Sequence, residues 1–237
     1  MRTHPALLLP LLLLIVSCGA APPPSSTFSG IPPSAAEPLR PSGVTVVPAP
    51  EAGAWQPSSD PRSMGNPAAP ITVVEFADFQ CPYCASFART THPQIKAQYI
   101  DTGKVYFVHR DLPLAQIHPG TVLAAHAANC AAEQGAFWPM HTRLFQGFEA
   151  QEWGQGDARD LETFRGYGRE LGLDEEALGS CITSNRYAQR IEADVRAALQ
   201  LGFQGTPTFL INGQPLHGAQ PFTTFQRAFE QILASAP

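Results

Sequence analysis

"VVEFADFQCPYCASF", residues Val73 to Phe87, joins an apolar, β-branched run to two cysteines separated by Pro82 and Tyr83. Ile71 to Phe76 has the composition of a central strand buried on both faces. Pro82 suits the first turn of a helix, where its missing N–H has no intrahelical bond to lose. Cys81 and Cys84 therefore fall where a strand gives way to a helix. Such a pair has three uses: a structural metal site, a structural disulfide or a redox centre.

Working outward, the helix opened by Pro82 extends to about Tyr99 with a kink at Pro93, and Gly103 ends the connection. Lys104 to His109 forms a second strand, so strand, helix and strand make a right-handed parallel crossover the expected geometry. A helical block follows: Thr121 to Gln134, Phe137 to Phe145, Leu161 to Leu171, Asp174 to Thr183 and Tyr187 to Leu201. Asp174 and Asn185 are candidate N-caps, and Gly135 and Gly202 candidate stops. Strand character returns at Thr208 to Ile211, Asn212-Gly213 gives a two-residue hairpin turn, and Gln214 to His217 pairs back. An amphipathic helix from Phe222 to Leu233 closes the chain. The expected class is α/β, a mixed sheet with helices inserted into one crossover.

The 237 residues carry a net charge of −5 with no basic run, so a nucleic-acid role has no electrostatic support. No internal repeat is present. Five cysteines occur, at 18, 81, 84, 130 and 181. Setting Cys18 aside leaves an even number, which fits disulfide chemistry in an oxidising compartment.

The N-terminus supplies that compartment. Ala6 to Val16 is too short for a membrane span of roughly 20 apolar residues and has the length of a signal-peptide core. Ile15-Val16-Ser17-Cys18 resembles the bacterial lipoprotein box, which implies a signal peptide over 1–17 and lipidation of Cys18. Several acyl chains, at about 0.8 kcal/mol per buried methylene, would give stable attachment to a membrane. Residues 18–61 are rich in Pro, Ser and Ala and read as a tether, rising about 3.1 Å per residue where polyproline geometry holds. The run Val44-Thr45-Val46-Val47 is an exception that could add an edge strand. Residues 62–237 suit one globular domain.

The uses of the Cys81–Cys84 pair are not equal. Structural zinc wants four ligands, commonly in two close pairs, whereas Cys130 and Cys181 stand alone. His109, His118, His126, His141 and His217 are scattered and read as ordinary core or surface residues. A two-thiolate site for a soft ion such as Cu(I) stays open. A structural bond between Cys81 and Cys84 would close too short a loop to constrain the unfolded chain much. Redox chemistry uses every feature of the stretch. A helix N-terminus lowers the pKa of a thiolate placed there, and Cys84 lies one turn further in, able to close onto Cys81.

With Thr206-Pro207 more than a hundred residues later, the pair resembles the thioredoxin superfamily, in which a cis-proline faces the two sulfurs. The stretches "VVEFADFQCPYC", "HRDLPL", "CAAEQGAFWPMH" and "GTPTFLING" are similar to the DsbA-like thiol:disulfide oxidoreductases of bacterial envelopes, from Ile71 to the C-terminus. The resemblance implies a thioredoxin-like fold with a helical insertion at about 113–202. It implies Cys81 as nucleophile and Cys84 as resolving thiol, tuned by Pro82, Tyr83 and Glu75. Thr206 and Pro207 would receive an extended client, and Cys130 and Cys181 would bridge their helices. Two free buried thiols, or a shuttle through both pairs, are the alternatives for Cys130 and Cys181. No cofactor or metal is implied. The implied partners are exported cysteine-containing proteins and a recycling protein in the membrane, either a quinone-linked thiol oxidase or a thiol reductase. Two departures qualify the match. The dipeptide is Pro-Tyr where the best-known strong oxidant has Pro-His, and threonine before Pro207 is also found in isomerase and reductase relatives. A monomeric dithiol oxidase is the first expectation, reduction or isomerisation the second, and a tethered copper-binding or scaffold protein the third.

Overall fold

The computed structural model describes residues 60–235, so the signal peptide, Cys18, most of the tether and the Val44–Val47 run lie outside the described residues. Five strands form one sheet: β1 (Ser63–Met64), β2 (Ile71–Ala77), β3 (Val105–Asp111), β4 (Thr208–Ile211) and β5 (Gln214–His217). Their spatial order is β1-β3-β2-β4-β5. β2 and β3 are parallel, with Ile71 opposite Val105 and Glu75 opposite His109, and the other three pairings are antiparallel.

The period-2 alternation of β2 divides the core. On one face Ile71 and Val73 join Phe107, Phe209 and Ile211 beneath Phe87 of α1 (Pro82–Thr90) and Phe225 and Phe229 of α8 (Phe222–Ser235). On the other, Phe76 packs with Leu112, Ala198 and Phe203, Ala198 belonging to α7 (Ala188–Gln200). Fully burying one such aromatic or branched side chain stabilises the fold by about 1.5–3 kcal/mol. Between β3 and β4 the chain builds α3 (Thr121–Ala132), α4 (Phe137–Glu149), α5 (Ala158–Glu170), α6 (Glu175–Thr183) and α7. Their cluster, with Phe137, Met140, Leu144, Phe164 and Leu178 at its centre, also takes in Phe79 and Cys84 from the β2–α1 region. The helical block is thus packed against the start of α1.

Three local expectations are revised. The helix after Cys81 is not continuous to Tyr99. α1 ends at Thr90, Pro93 sits in the first turn of the short α2 (His92–Ile95), and a π-helical turn follows at Lys96–Ile100. Asn185 is not an N-cap: its φ is 51°, a conformation asparagine tolerates better than most residues, and α7 starts after Tyr187 without a side-chain cap. α5 begins earlier than Leu161, because the Asp157 carboxylate accepts from the N–H groups of Arg159 and Asp160. Asp174 does cap α6, accepting from Ala177 N–H.

A buried ionic knot fixes where the described chain enters the sheet. The Arg62 guanidinium donates to Asp194 at 2.6 Å and to Asp111 at 3.1 Å, while Asp60 accepts from Arg110 at 2.6 Å and Arg190 at 2.5 Å. The arginines hold the Asp60 carboxyl far below the usual range, against burial that would raise it.

Candidate active site

Cys81 is the residue before the first helical turn of α1, in extended conformation, with Pro82 directly after it. Its N–H donates to Asp78 O at 3.1 Å, and its own carbonyl accepts from Ala85 N–H at 3.0 Å. The loop ahead of it is clamped to the helical block. The Asp78 carboxylate accepts from Gln80 N–H and the Thr121 hydroxyl on one oxygen, and from Leu114 N–H on the other, which also lies 2.8 Å from His118 Nδ1. The Gln80 amide donates to Gly154 O and accepts from Gly120 N–H. With both clamps buried, the position of Cys81 is set from two sides. Neither Asp78 nor Gln80 stood out in sequence; the small polar run between a strand and Cys-Pro was the only sign.

The two sulfurs differ in environment. Cys81 is 5% exposed and Cys84 fully buried, and both are free thiols. A hydrogen bond from Cys84 lowers the Cys81 pKa to about 6, outweighing burial, with Thr206 and the backbone N–H groups of Cys84 and Tyr83 adding to the effect. Burial pushes Cys84 well up, and the neighbouring Cys81 and Glu75 push it further. At neutral pH one sulfur is a thiolate and the other a thiol. Tyr83, between them in sequence, is 68% exposed.

Across the site lies the loop entering β4. The Thr206–Pro207 peptide is cis, and Cys81 Sγ lies 3.3 Å from Thr206 O. Thr206 and Pro207 therefore face Cys81 although 125 residues separate Thr206 from it. Glu75 is buried in β2, close enough to Cys84 for its charge to act on that thiol. Cys130 of α3 and Cys181 of α6 form a disulfide with Cα atoms 5.8 Å apart, inside the helical cluster. Cys18 lies outside the described residues.

A group that sequence spacing did not reveal lies on the same side of β2. Candidate ligand atoms of Glu75, His109 and His141 all fall within 4.8 Å of one another, and all three residues are buried. His109 Nδ1 is 3.8 Å from Glu75 Oε2, and its Nε2 is 3.5 Å from Asp111 Oδ1. Burial alone would lower the His109 pKa, but these two carboxylates raise it. Burial drives His141 well down, and His109 and His92 reinforce that direction. Both ring nitrogens of His109 and Nε2 of His141 and of His92 lack a hydrogen-bond partner. Each such buried orphan costs about 1–3 kcal/mol.

Comparison with known proteins adds independent findings. Residues 58–231 match a family model described as Thioredoxin. Among curated proteins, the Na(+)/H(+) antiporter NhaA 3 of Salinispora tropica is 39% identical over 168 residues, which is 71% of this chain and 24% of that protein. The NhaA antiporter of Herminiimonas arsenicoxydans is 34% identical over 178 residues, 74% of this chain and 26% of its own. The chain spans about a quarter of the length of these relatives, and among the described residues no helix is long and apolar enough to cross a membrane. Among solved structures, α-DsbA1 of Wolbachia pipientis superposes with a TM-score of 0.65 at 25% identity, covering 73% of this chain and 90% of that one. BdbD of Bacillus subtilis in its oxidised state gives 0.65 at 25%, covering 73% and 93%. A thioredoxin-like oxidoreductase of Silicibacter pomeroyi gives 0.61 at 28%, covering 73% and 92%.

Proposed function

The chain belongs to the thioredoxin superfamily, as a DsbA-like protein, and from that premise we propose that it is an extracytoplasmic dithiol oxidase acting on exported proteins through Cys81 and Cys84. The observation that carries this reading is the inequality of the two sulfurs, one at a helix start with its pKa down at about 6, the other buried with its pKa raised.

In the oxidised enzyme a client thiolate attacks Cys81 Sγ, the Cys81–Cys84 bond breaks, and Cys84 leaves and takes up a proton. The second client thiol, as thiolate, then attacks the client sulfur of the mixed disulfide and expels Cys81 as thiolate. The client loses two electrons and gains a disulfide; the enzyme gains both electrons as a dithiol. Stabilising the Cys81 thiolate makes it the better leaving group and favours the reduced enzyme, which raises the potential by about 30 mV for each 1.4 kcal/mol. The backbone of Thr206 would receive the client main chain as an added strand. A separate membrane protein, a quinone-linked thiol oxidase in this reading, would reoxidise the pair. Cys18 would fix the protein to the envelope by lipid, Cys130–Cys181 would serve structure alone, and the working unit would be a monomer.

The test is the equilibrium of the Cys81–Cys84 pair against glutathione, together with trapping by Cys84→Ser. A pair more oxidising than glutathione, and mixed disulfides accumulating on Cys81, are the expected results. A strongly reducing pair would turn the assignment to the second reading, a disulfide reductase or isomerase, with which threonine before Pro207 and the lack of a histidine at Tyr83 are compatible. Absence of exchange altogether would leave a binding protein.

A further inference from the structure

We propose that Glu75, His109 and His141 form a buried binding site for a divalent transition-metal ion of the zinc class. Three elements supply the ligands: Glu75 from β2, His109 from β3 and His141 from α4. Two imidazoles and one carboxylate make a donor set suited to zinc, with a fourth position remaining. Ligand atoms about 2.0–2.2 Å from zinc lie roughly 3.4 Å apart in a tetrahedral site. The 3.8 Å between His109 Nδ1 and Glu75 Oε2 is close to that spacing and beyond hydrogen-bond length.

The surroundings have the form of a metal site too. A ligating histidine commonly presents its other ring nitrogen to a carboxylate, which fixes the ring. His109 does so: with Nδ1 toward Glu75, its Nε2 faces Asp111 Oδ1 at 3.5 Å. Asp111 is itself held through its other oxygen by Arg62 at 3.1 Å and Asn129 at 2.9 Å. Phe79, Phe137 and Phe145 pack on the two imidazoles and keep solvent out.

A metal-free account is a protonated His109 held between Glu75 and Asp111. It explains His109 and Glu75 and leaves His141 unexplained. His141 Nε2 is a buried nitrogen without a hydrogen-bond partner, and a ring nitrogen of His141 converges on the same two residues. A cation accounts for all three at once. Such an ion would tie the helical block to two strands of the sheet, and it does not depend on the direction of electron flow at Cys81.

The experiment uses the full chain carrying Cys18→Ser, Cys81→Ser and Cys84→Ser, so that no free thiolate competes for metal. The chain is refolded with zinc chloride, dialysed, and its zinc measured by mass spectrometry. About one zinc per chain is expected, with retention reduced roughly 10–100-fold or more by His141→Ala and by Glu75→Gln. Circular dichroism identifies which variants fold. Should both fail to fold, X-ray absorption at the zinc edge of the parent decides. Two imidazoles and no sulfur in the first coordination sphere support the site. Zinc-free parent protein, zinc retained equally by a folded variant, or a sphere without imidazole would each overturn it and leave the protonated-imidazole account.

Discussion

The two cysteine pairs of the folded chain are equally hidden from solvent and chemically opposite. Cys130 and Cys181 join two helices inside an apolar cluster, 51 residues apart in sequence, and are bonded to each other. Cys81 and Cys84 share one helix start and are not bonded to each other. Burial is therefore not what separates the bonded pair from the free one. The difference is the company: backbone N–H groups and a neighbouring thiol donate to Cys81, whereas Cys130 and Cys181 have each other as covalent partners.

Four experiments bear on that contrast. The largest effect is expected from Cys81→Ser, which should lower the rate of dithiol oxidation by about three orders of magnitude or more, to the uncatalysed level. Unchanged oxidation of a reduced peptide would erase the distinction between the pairs. Next, Cys130→Ala with Cys181→Ala should cost about 2–5 kcal/mol in denaturant unfolding, with exchange kinetics within about twofold of the parent. A collapse of exchange in a still-folded variant would instead support a shuttle through both pairs.

The third effect is a pH profile. Alkylation of the reduced protein by iodoacetamide should rise with pH, reach half its plateau near the Cys81 pKa of about 6, and modify Cys81 before Cys84. The folded Cys81 pKa lies below the ordinary value of 9.0. Its thiolate therefore stabilises the reduced protein fully above about pH 9, and that contribution is lost as pH falls through 6. A midpoint at the ordinary thiol value would remove the electrostatic half of the contrast. The smallest effect is Tyr83→His. A partly protonated imidazole beside the thiolate should lower the Cys81 pKa further and raise the potential of the pair by tens of millivolts, read from glutathione equilibria. No change would mean that the exposed side chain at this position does not reach the sulfur's field.

Much of this was legible in the chain. The apolar run of β2, the Asn212-Gly213 turn and the Asp174 cap are local signals, and β2, the β4–β5 hairpin and α6 follow them closely. What the sequence left out had two origins, one tertiary and one local. Ser63–Met64 is a strand only because β3 offers it an edge, and two residues carry no periodicity to detect. Asn185 has the residue type of a cap, yet asparagine serves equally in the left-handed turn it occupies. Of the site, Cys81, Pro82, Cys84, Thr206 and Pro207 were visible as motifs. Asp78, Gln80 and the group of Glu75, His109 and His141 were not, because sheet register and helix packing, rather than spacing along the chain, bring them together.

The ionic knot at Asp60 has a mechanical consequence. A pull on the chain ahead of Asp60 is met first by three arginines gripping one carboxylate, and through Arg62 by β3 and α7 together. The load is spread across the sheet and the last helix of the block before any strand can peel. Tension applied at Asp60 would therefore reach the Cys81 loop late, with the two sulfurs still held in place.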